Sequence, residues 1–340
     1  MERTDKKFLF GVIGLDHDHI YGMCDGLLEA GAELKAVYDK DAQKTAQFCQ
    51  KYPGVRPARC EEEILVNKEI SLIASAIKPD LRCGLGIRAM NLGKDFFADK
   101  PGMLTLSEIE QVRQCHKRTG RKYMVYFSER IHVEGALFAQ QLIEAGEIGE
   151  VLQVTILAPH RLRKTARPEW FFTKEQGGGI ITDIGSHQIE QFLAYTGEEE
   201  VSVLHSVVAN YANREYPDFE DFGEAVLRTG SGATCFFRVD WFTPDGLGTW
   251  GDGRVFIMGS RGSIEIRKYI NVGETRDRDN VFLVTADREQ KFTVTGKVGF
   301  PFFGDLISDC INRTEKAMAQ EHVLNAMAIA IRAEHTAQRL

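Results

Sequence analysis

The seven cysteines, at positions 24, 49, 60, 83, 115, 235 and 310, form no C-x-x-C pair. Zinc ribbons and dithiol redox chemistry are therefore excluded, and reduced thiols of a cytoplasmic protein are the simplest account. Basic charge is not in excess either: Lys+Arg 42 against Asp+Glu 49 gives a net charge of −7. That balance argues against a nucleic-acid or anionic-membrane partner. No run approaches the ~20 apolar residues of a membrane span. The segment Phe8 to Leu15 is apolar but is cut short by Asp16-His-Asp-His19 and has no small-residue cleavage site, so it reads as a strand rather than a signal peptide. Prolines are few, nine against 32 glycines in 340 residues, which suits tight turns rather than disorder, and there is no internal repeat or low-complexity linker. A chain of this length suits two domains.

What is present in the first half alternates regularly. Phe8 to Ile13 reads as a strand buried on both faces, Ile20 to Ala30 as a helix stopped by Gly31, and Glu33 to Tyr38 as a second strand ending at Asp39. Asp41–Lys51 is helical in composition, Ser71–Ala76 a buried strand, Leu81–Leu92 a helix closed by Gly93. Asp95–Ala98 is the strand that delivers Asp99-Lys100-Pro101, followed by a helix over Leu106–Thr119 and a strand over Lys122–Phe127. Strands alternating with helices imply an α/β fold with a doubly wound parallel sheet, whose ligands sit at the carboxyl ends of the strands. Gly14, Asp39, Ile77-Lys78-Pro79 and Asp99-Lys100 all lie at such ends. Lysine there brings three donors on a flexible stem, suited to a hydroxyl or carbonyl oxygen.

A dinucleotide fingerprint places glycines at the first, third and sixth positions of the loop after strand one. Here that loop is Gly14-Leu-Asp16-His17-Asp-His19, with the first glycine alone in place. The helix N-terminus is still expected to offer unpaired amides to an anion. Asp39 stands near the spacing of a ribose-binding acid, although it also reads as an N-cap for the next helix. Lys40 beside it leaves a 2′-phosphate acceptable.

In the second half, Val133–Ala145 is helical and Gly149–Leu157 alternates as a strand. A basic loop runs from His160 to Trp170, either a solvated face or a cover over a ligand. Then comes Gly177-Gly-Gly-Ile-Ile-Thr-Asp183-Ile-Gly-Ser-His187, leading into a helix. Asp183 and His187 are four apart, so on a regular helix they share one face. Histidine is the usual general base near neutral pH, with an aspartate to hold its ring or the substrate. From Val201 the pattern turns strand-rich, over Val201–Tyr211, Gly223–Arg228, Ala233–Trp241, Val255–Gly259 and Ser263–Arg267. This reads as a mostly antiparallel open sheet. Thr275–Asn280 reads as a solvated loop, and helices over Phe302–Asn312 and Glu321–Leu340 finish the chain.

Together these motifs resemble the glucose–fructose oxidoreductase / inositol dehydrogenase / MocA (Gfo/Idh/MocA) family, over nearly the whole chain. The Asp99-Lys100-Pro101 strand end and the glycine-triplet stretch are the specific parts. The resemblance implies an N-terminal Rossmann-type NAD(P)-binding domain, residues 1–127, and a C-terminal α/β domain, residues 128–340. The open, mostly antiparallel sheet of the second domain would support a homodimer or homotetramer. It implies NAD or NADP as cofactor, with NAD ahead, and a small-molecule sugar, cyclitol or polyol substrate oxidised at a secondary alcohol. By the same resemblance Lys100, Asp183 and His187 are the catalytic set, and Gly14, Asp16, His17, Asp39, Ile77, Lys78, Asp99 and Lys100 line the cofactor. The same resemblance turns Arg130, Asp183 and His187 to the substrate, and Trp170, from the basic loop able to cover a ligand, is read as a substrate residue beside them. Asp99 stands where the family usually has glutamate, and Ile77-Lys78-Pro79 where it usually has Thr-Pro-Asn. The glycine loop departs most. It either binds NAD in a shifted geometry, or has given its imidazoles a substrate or cation role, or belongs to a protein that has lost its cofactor. No metal ligands are assigned. A redox-neutral, glycosidase-like enzyme using NAD and a non-catalytic binding protein on the same fold are the alternative functions.

Overall fold

The computed structural model describes residues 7–340. Two compact units divide the chain: Met1–Tyr126 with Pro301–Leu324, and Phe127–Phe300 with Asn325–Leu340. The first unit therefore takes in a late segment that sequence order alone assigns to the second domain.

In the first unit the elements run β1 (Leu9–Leu15), α1 (His19–Glu29), β2 (Glu33–Tyr38), α2 (Ala42–Lys51), β3 (Arg56–Pro57), α3 (Glu61–Leu65), β4 (Ile70–Ala76), α4 (Pro79–Asn91), β5 (Asp95–Asp99), α5 (Leu106–Thr119) and β6 (Tyr123–Tyr126). The six strands pair in parallel in the order β3-β2-β1-β4-β5-β6. This is the Rossmann-type doubly wound sheet. Strands β1, β4 and β5 are buried on both faces, as their mostly apolar residues suit, with the two aspartates at the ends of β5 held by hydrogen bonds. Thr105 starts α5 with a reciprocal capping box to Glu108, and Gly120 in the left-handed region stops it. Asp41, not Asp39, caps α2, accepting from the amides of Gln43 and Lys44.

The second unit opens with α6 (Ser128–Ile131) and α7 (Glu134–Glu144), then β7 (Val151–Pro159), a loop with two short 3₁₀ turns, and α8 (Lys174–Gly177). A π turn over Ile181–Gly185 leads into α9 (Ser186–Thr196). Strands β8 (Val201–Ala209), β9 (Phe222–Thr229), β10 (Thr234–Asp240), β11 (Arg254–Gly259), β12 (Gly262–Arg267), β13 (Asn280–Thr285) and β14 (Glu289–Thr293) follow. After α10 (Pro301–Asn312) and α11 (Gln320–His335), the chain ends in a short strand, β15 (Gln338–Arg339). The nine-stranded sheet runs β14-β13-β12-β11-β7-β10-β9-β8-β15. Its pairs are antiparallel except β7–β10 and β8–β15. The sheet is thus the open, mostly antiparallel one expected, with two corrections to its extent. Asn280 begins a strand rather than ending a loop, and the last helix stops at His335 so that Gln338 and Arg339 can pair with Val207 and Val208.

Within the first unit, α10 supplies Phe302 and Phe303 to the core beside Phe97 and Tyr126. A Cβ on Gly26 would run into the Phe303 ring, so α1 approaches α10 closely only because residue 26 has no side chain. Burying two phenylalanines contributes roughly 3–6 kcal/mol of transfer free energy. Buried apolar residues on β7, β9, β10, β11 and β12, such as Ile156, Leu227, Phe237, Ile257 and Ile266, form the second core.

Candidate active site

In the first unit, four segments meet at the carboxyl ends of β1, β4 and β5. Asp99 closes β5 and is completely buried. Its Oδ1 accepts from the Lys100 amide at 2.7 Å and faces His19 Nδ1 at 2.8 Å. Its Oδ2 accepts from Arg82 Nη2 at 3.2 Å and faces His17 Nδ1 at 3.2 Å. Arg82, buried in α4, also donates to the carbonyls of Ile77, Asp99 and Pro101, so one guanidinium holds both loops around the strand ends. Burial alone would push the Asp99 carboxyl up; the charges of His19, Arg82 and His17 outweigh it and hold the group well below the usual range. Burial, helped by His19, holds His17 down at about 4. Lys100 is 5% exposed and is joined to Pro101 by a cis peptide bond.

Beside this cluster a cleft of about 240 Å³ is lined by Gly14, Asp16, Asp39, Lys40, Lys44, Ile77 and Lys78 among others. Gly14 has φ +88°, and a Cβ there would stand 2.5 Å from Ile77 Cβ, so both backbone conformation and contact require glycine. Asp39 accepts from the Leu15 amide at 2.6 Å through Oδ2 and from the Asp41 amide at 2.7 Å through Oδ1. It ties the first loop to the second strand, and each oxygen keeps a lone pair for a hydroxyl. Asp16, which replaces a glycine, turns its carboxylate to Lys44 Nζ at 2.6 Å and the Lys78 amide at 3.2 Å. Its charge is thereby matched by Lys44 of α2 and by the amide after β4.

The amides at the start of α1 are a correction to the sequence reading. They are not left open to an anion: His19 N donates to His17 Nδ1, Ile20 N to the His17 carbonyl and Tyr21 N to the Asp18 carbonyl. The His17 side chain and the His17 and Asp18 carbonyls turn the loop back onto its own amides.

In the second unit, His187 lies in α9, 1% exposed, with the Phe127 ring at 6.3 Å. Asp183 is half-buried one turn earlier. The intervening backbone is a π turn, so the pair is not related by the regular α-helical spacing that the sequence reading assumed. The turn is anchored by carboxylates: Glu220 accepts from the Ile180 amide and Glu334 from the Ile181 amide, with Lys174 bridging both. Burial and the neighbouring Glu220 push Glu334 up to about 7, against the pull of Lys174.

Glu129 is the second organising carboxylate. It accepts from Lys268 Nζ at 3.0 Å and Gln188 Nε2 at 3.1 Å, and faces His160 Nε2 at 3.6 Å. Lys268 is buried and also donates to Gln191 Oε1 at 2.7 Å. Burial would raise Glu129, but the charges of Lys268, His187 and His160 bring it down to about 2. Arg130 is not directed to a ligand: its guanidinium is buried against Glu190 in a bidentate pair and reaches Gln140 Oε1 at 2.8 Å. Trp170 is half-buried in a 3₁₀ turn beside Phe171. Arg82, Lys268 and Glu129 were not singled out from the sequence. Each earns its place through contacts 17 to 139 residues away, and no local pattern marks them.

Residues 8–127 match the family model described as an oxidoreductase family, NAD-binding Rossmann fold, and residues 137–265 match the GFO/IDH/MocA C-terminal domain. The crystal structure of a protein from Erwinia carotovora atroseptica is 47% identical, covers 98% of this chain and 100% of that one, and superimposes with a TM-score of 0.96. An uncharacterized oxidoreductase of Schizosaccharomyces pombe is 27% identical over 190 residues, 55% of this chain and 50% of that protein. A D-xylose dehydrogenase of Paenarthrobacter nicotinovorans is 23% identical over 228 residues, 64% of this chain and 57% of that protein. This chain thus spans about half the length of the curated relatives it matches. No helix among the described residues is long and apolar enough to cross a membrane. With both of its domain models matched and a near-complete structural counterpart, the chain belongs to the Gfo/Idh/MocA family of NAD(P)-binding oxidoreductases.

Proposed function

We propose that the protein transfers hydride between a nicotinamide cofactor and a secondary alcohol of a sugar, cyclitol or related polyol. The observation that carries this reading is the convergence at the carboxyl ends of one parallel sheet: Gly14, Asp39 and Lys78 around a cleft, with Lys100 directly after β5. The similarity to a D-xylose dehydrogenase supports the substrate class.

The residues fit a dinucleotide in one respect and alter its reception in another. Asp39 is oriented by two amides and can accept from ribose hydroxyls. It stands with Asp16, Asp41 and Glu61 around the cleft, against Lys40, Lys44 and Lys78, and Lys44 is already matched to Asp16. That balance favours NAD over a cofactor bearing a 2′-phosphate. When bound, the nicotinamide supplies the hydride acceptor. The rest is done by this chain: Lys100 donates to the substrate oxygen and stabilises its developing charge, His187 takes the hydroxyl proton, and Asp183 orients the substrate. Glu129 keeps a negative charge near His187 and so favours the imidazolium that forms as the proton arrives.

The test is a polyol and aldose panel with both cofactors, followed by Lys100→Ala and His187→Ala. Lys100→Ala should lower turnover by about 10²–10³-fold, the usual loss for a donor aimed at a developing oxyanion, while NAD affinity stays near that of the wild type. Undiminished turnover in Lys100→Ala would contradict the assignment.

A further inference from the structure

We infer that His17, His19 and Asp99 form a binding site for a divalent transition-metal ion of the Zn²⁺ class. The three residues offer two imidazole nitrogens and a carboxylate oxygen, all within 4.8 Å of one another. Zinc bonds of roughly 2.0–2.2 Å to nitrogen and oxygen place tetrahedral ligands about 3.4 Å apart. His17 Nδ1 stands 3.2 Å from Asp99 Oδ2 and His19 Nδ1 2.8 Å from Asp99 Oδ1, so each imidazole is already close to that separation from one oxygen of the carboxylate. Small rotations of two loop side chains complete the set.

An independent observation points to a cation rather than to a finished hydrogen-bond network. His17 Nδ1 is 3.2 Å from the His19 amide, which donates to it, and also 3.2 Å from Asp99 Oδ2. A ring nitrogen carries either a proton or a lone pair in the ring plane, never both. If Nδ1 accepts from the amide, its lone pair and the carboxylate are two acceptors facing each other with no proton between them. If Nδ1 is protonated, the amide has a donor in front of it. A cation held by Nδ1 and the carboxylate takes the place of the missing proton between the two acceptors, and the His19 amide then gives up its bond to Nδ1.

The remainder of the site has the form that metal centres take. Asp99 is fully buried, and its outer lone pairs are already held by Arg82 Nη2 and the Lys100 amide, which fixes the carboxylate as second-shell donors do. His17 and His19 are 20% and 31% exposed, so an ion has a route in and coordination positions remain open towards solvent. Two imidazoles and one carboxylate select borderline ions such as Zn²⁺, Co²⁺ or Fe²⁺ over Mg²⁺ and Ca²⁺, which require oxygen-rich cages. Among the described residues this is the one cluster of histidine, cysteine and carboxylate side chains with such convergence.

The experiment is calorimetry of Zn²⁺, and separately of Mg²⁺, into the full chain after chelator treatment, with Co²⁺ absorption as a check on ligand type. One equivalent of Zn²⁺ per chain is expected, a nitrogen-containing Co²⁺ spectrum, and no matching Mg²⁺ isotherm. His17→Asn and His19→Asn should each weaken Zn²⁺ binding more than tenfold. Both changes lie on an accessible loop; circular dichroism of the same samples reports their folding, and NAD titration reports whether the loop's cofactor role changes along with its metal binding. Absence of stoichiometric Zn²⁺ and Co²⁺ binding to the wild type, or binding unchanged in both variants, would overturn the assignment.

Discussion

Asp99 in the first unit and Glu129 in the second are built on the same plan and finished differently. Each is a buried carboxylate facing two histidines and one buried cation, Arg82 for Asp99 and Lys268 for Glu129. Around Glu129 the donors are unambiguous, since Lys268 Nζ and Gln188 Nε2 can only give protons. Around Asp99 each of two ring nitrogens on an accessible loop faces its own carboxylate oxygen, and His17 Nδ1 faces the His19 amide as well, so one nitrogen meets a donor and an acceptor at once. The difference lies in the partners: Glu129 is closed in by Lys268 and Gln188, whereas the imidazoles on Asp99 are partly exposed and still open to a further ligand.

The largest effect expected from this contrast is in the sealed network. Lys268→Met leaves Glu129 buried without its cation and should destabilise the protein by about 3–5 kcal/mol in urea unfolding. Glu129→Gln keeps the shape but orphans the Lys268 charge in part, because Gln191 still accepts from it, and should cost about 1.5–3 kcal/mol. His17→Asn and His19→Asn should each cost only about 0.5–1.5 kcal/mol, because these rings are partly in water. Equal losses on the two sides would break the comparison.

Acid titration sharpens it at smaller cost. Glu129 titrates at about 2 against an ordinary 4.5, so the unfolded chain binds the proton first as pH falls. Its contribution to stability is whole above about 4.5 and is lost as the pH drops towards about 2. Glu334 has the opposite sign. Raised from 4.5 to about 7 by burial and Glu220 against Lys174, it binds the proton more tightly when folded, so stability declines as pH rises through that window. Glu334→Gln should flatten the decline between about 4.5 and 7, and Glu129→Gln should flatten the acid limb. Unfolding free energies measured across pH separate the two.

Much of the fold is written locally. Short, mostly apolar runs mark β1, β4 and β5, and glycines mark helix ends, so the doubly wound sheet and the position of Lys100 follow from the sequence. The parts that do not follow are long-range. Arg130 has a charge and a place near a helix start, which suit a ligand, but Glu190 stands 60 residues on to bury it. Asp183 and His187 have α-helical spacing, but the amides at the head of their segment are taken by Glu220 and Glu334 and the backbone widens into a π turn. Asp39 and Asp41 are both plausible caps by composition, and only the geometry gives the cap to Asp41 and the loop tie to Asp39. Strand β13 carries Val281-Phe-Leu-Val284, an apolar run directly after the charged stretch Thr275–Asn280, and it takes Asn280 from that stretch into the sheet.

The central claim is that the first unit receives a nicotinamide dinucleotide although two glycines of its loop are replaced. Mass spectrometry of nucleotide released from the purified protein, with calorimetry of NAD⁺ and NADP⁺ into the stripped chain, tests it most directly. The account predicts saturable NAD⁺ binding, weaker NADP⁺ binding, and loss of the preference for NAD⁺ in Asp39→Ala. No saturable binding of either nucleotide by the folded wild type would contradict it.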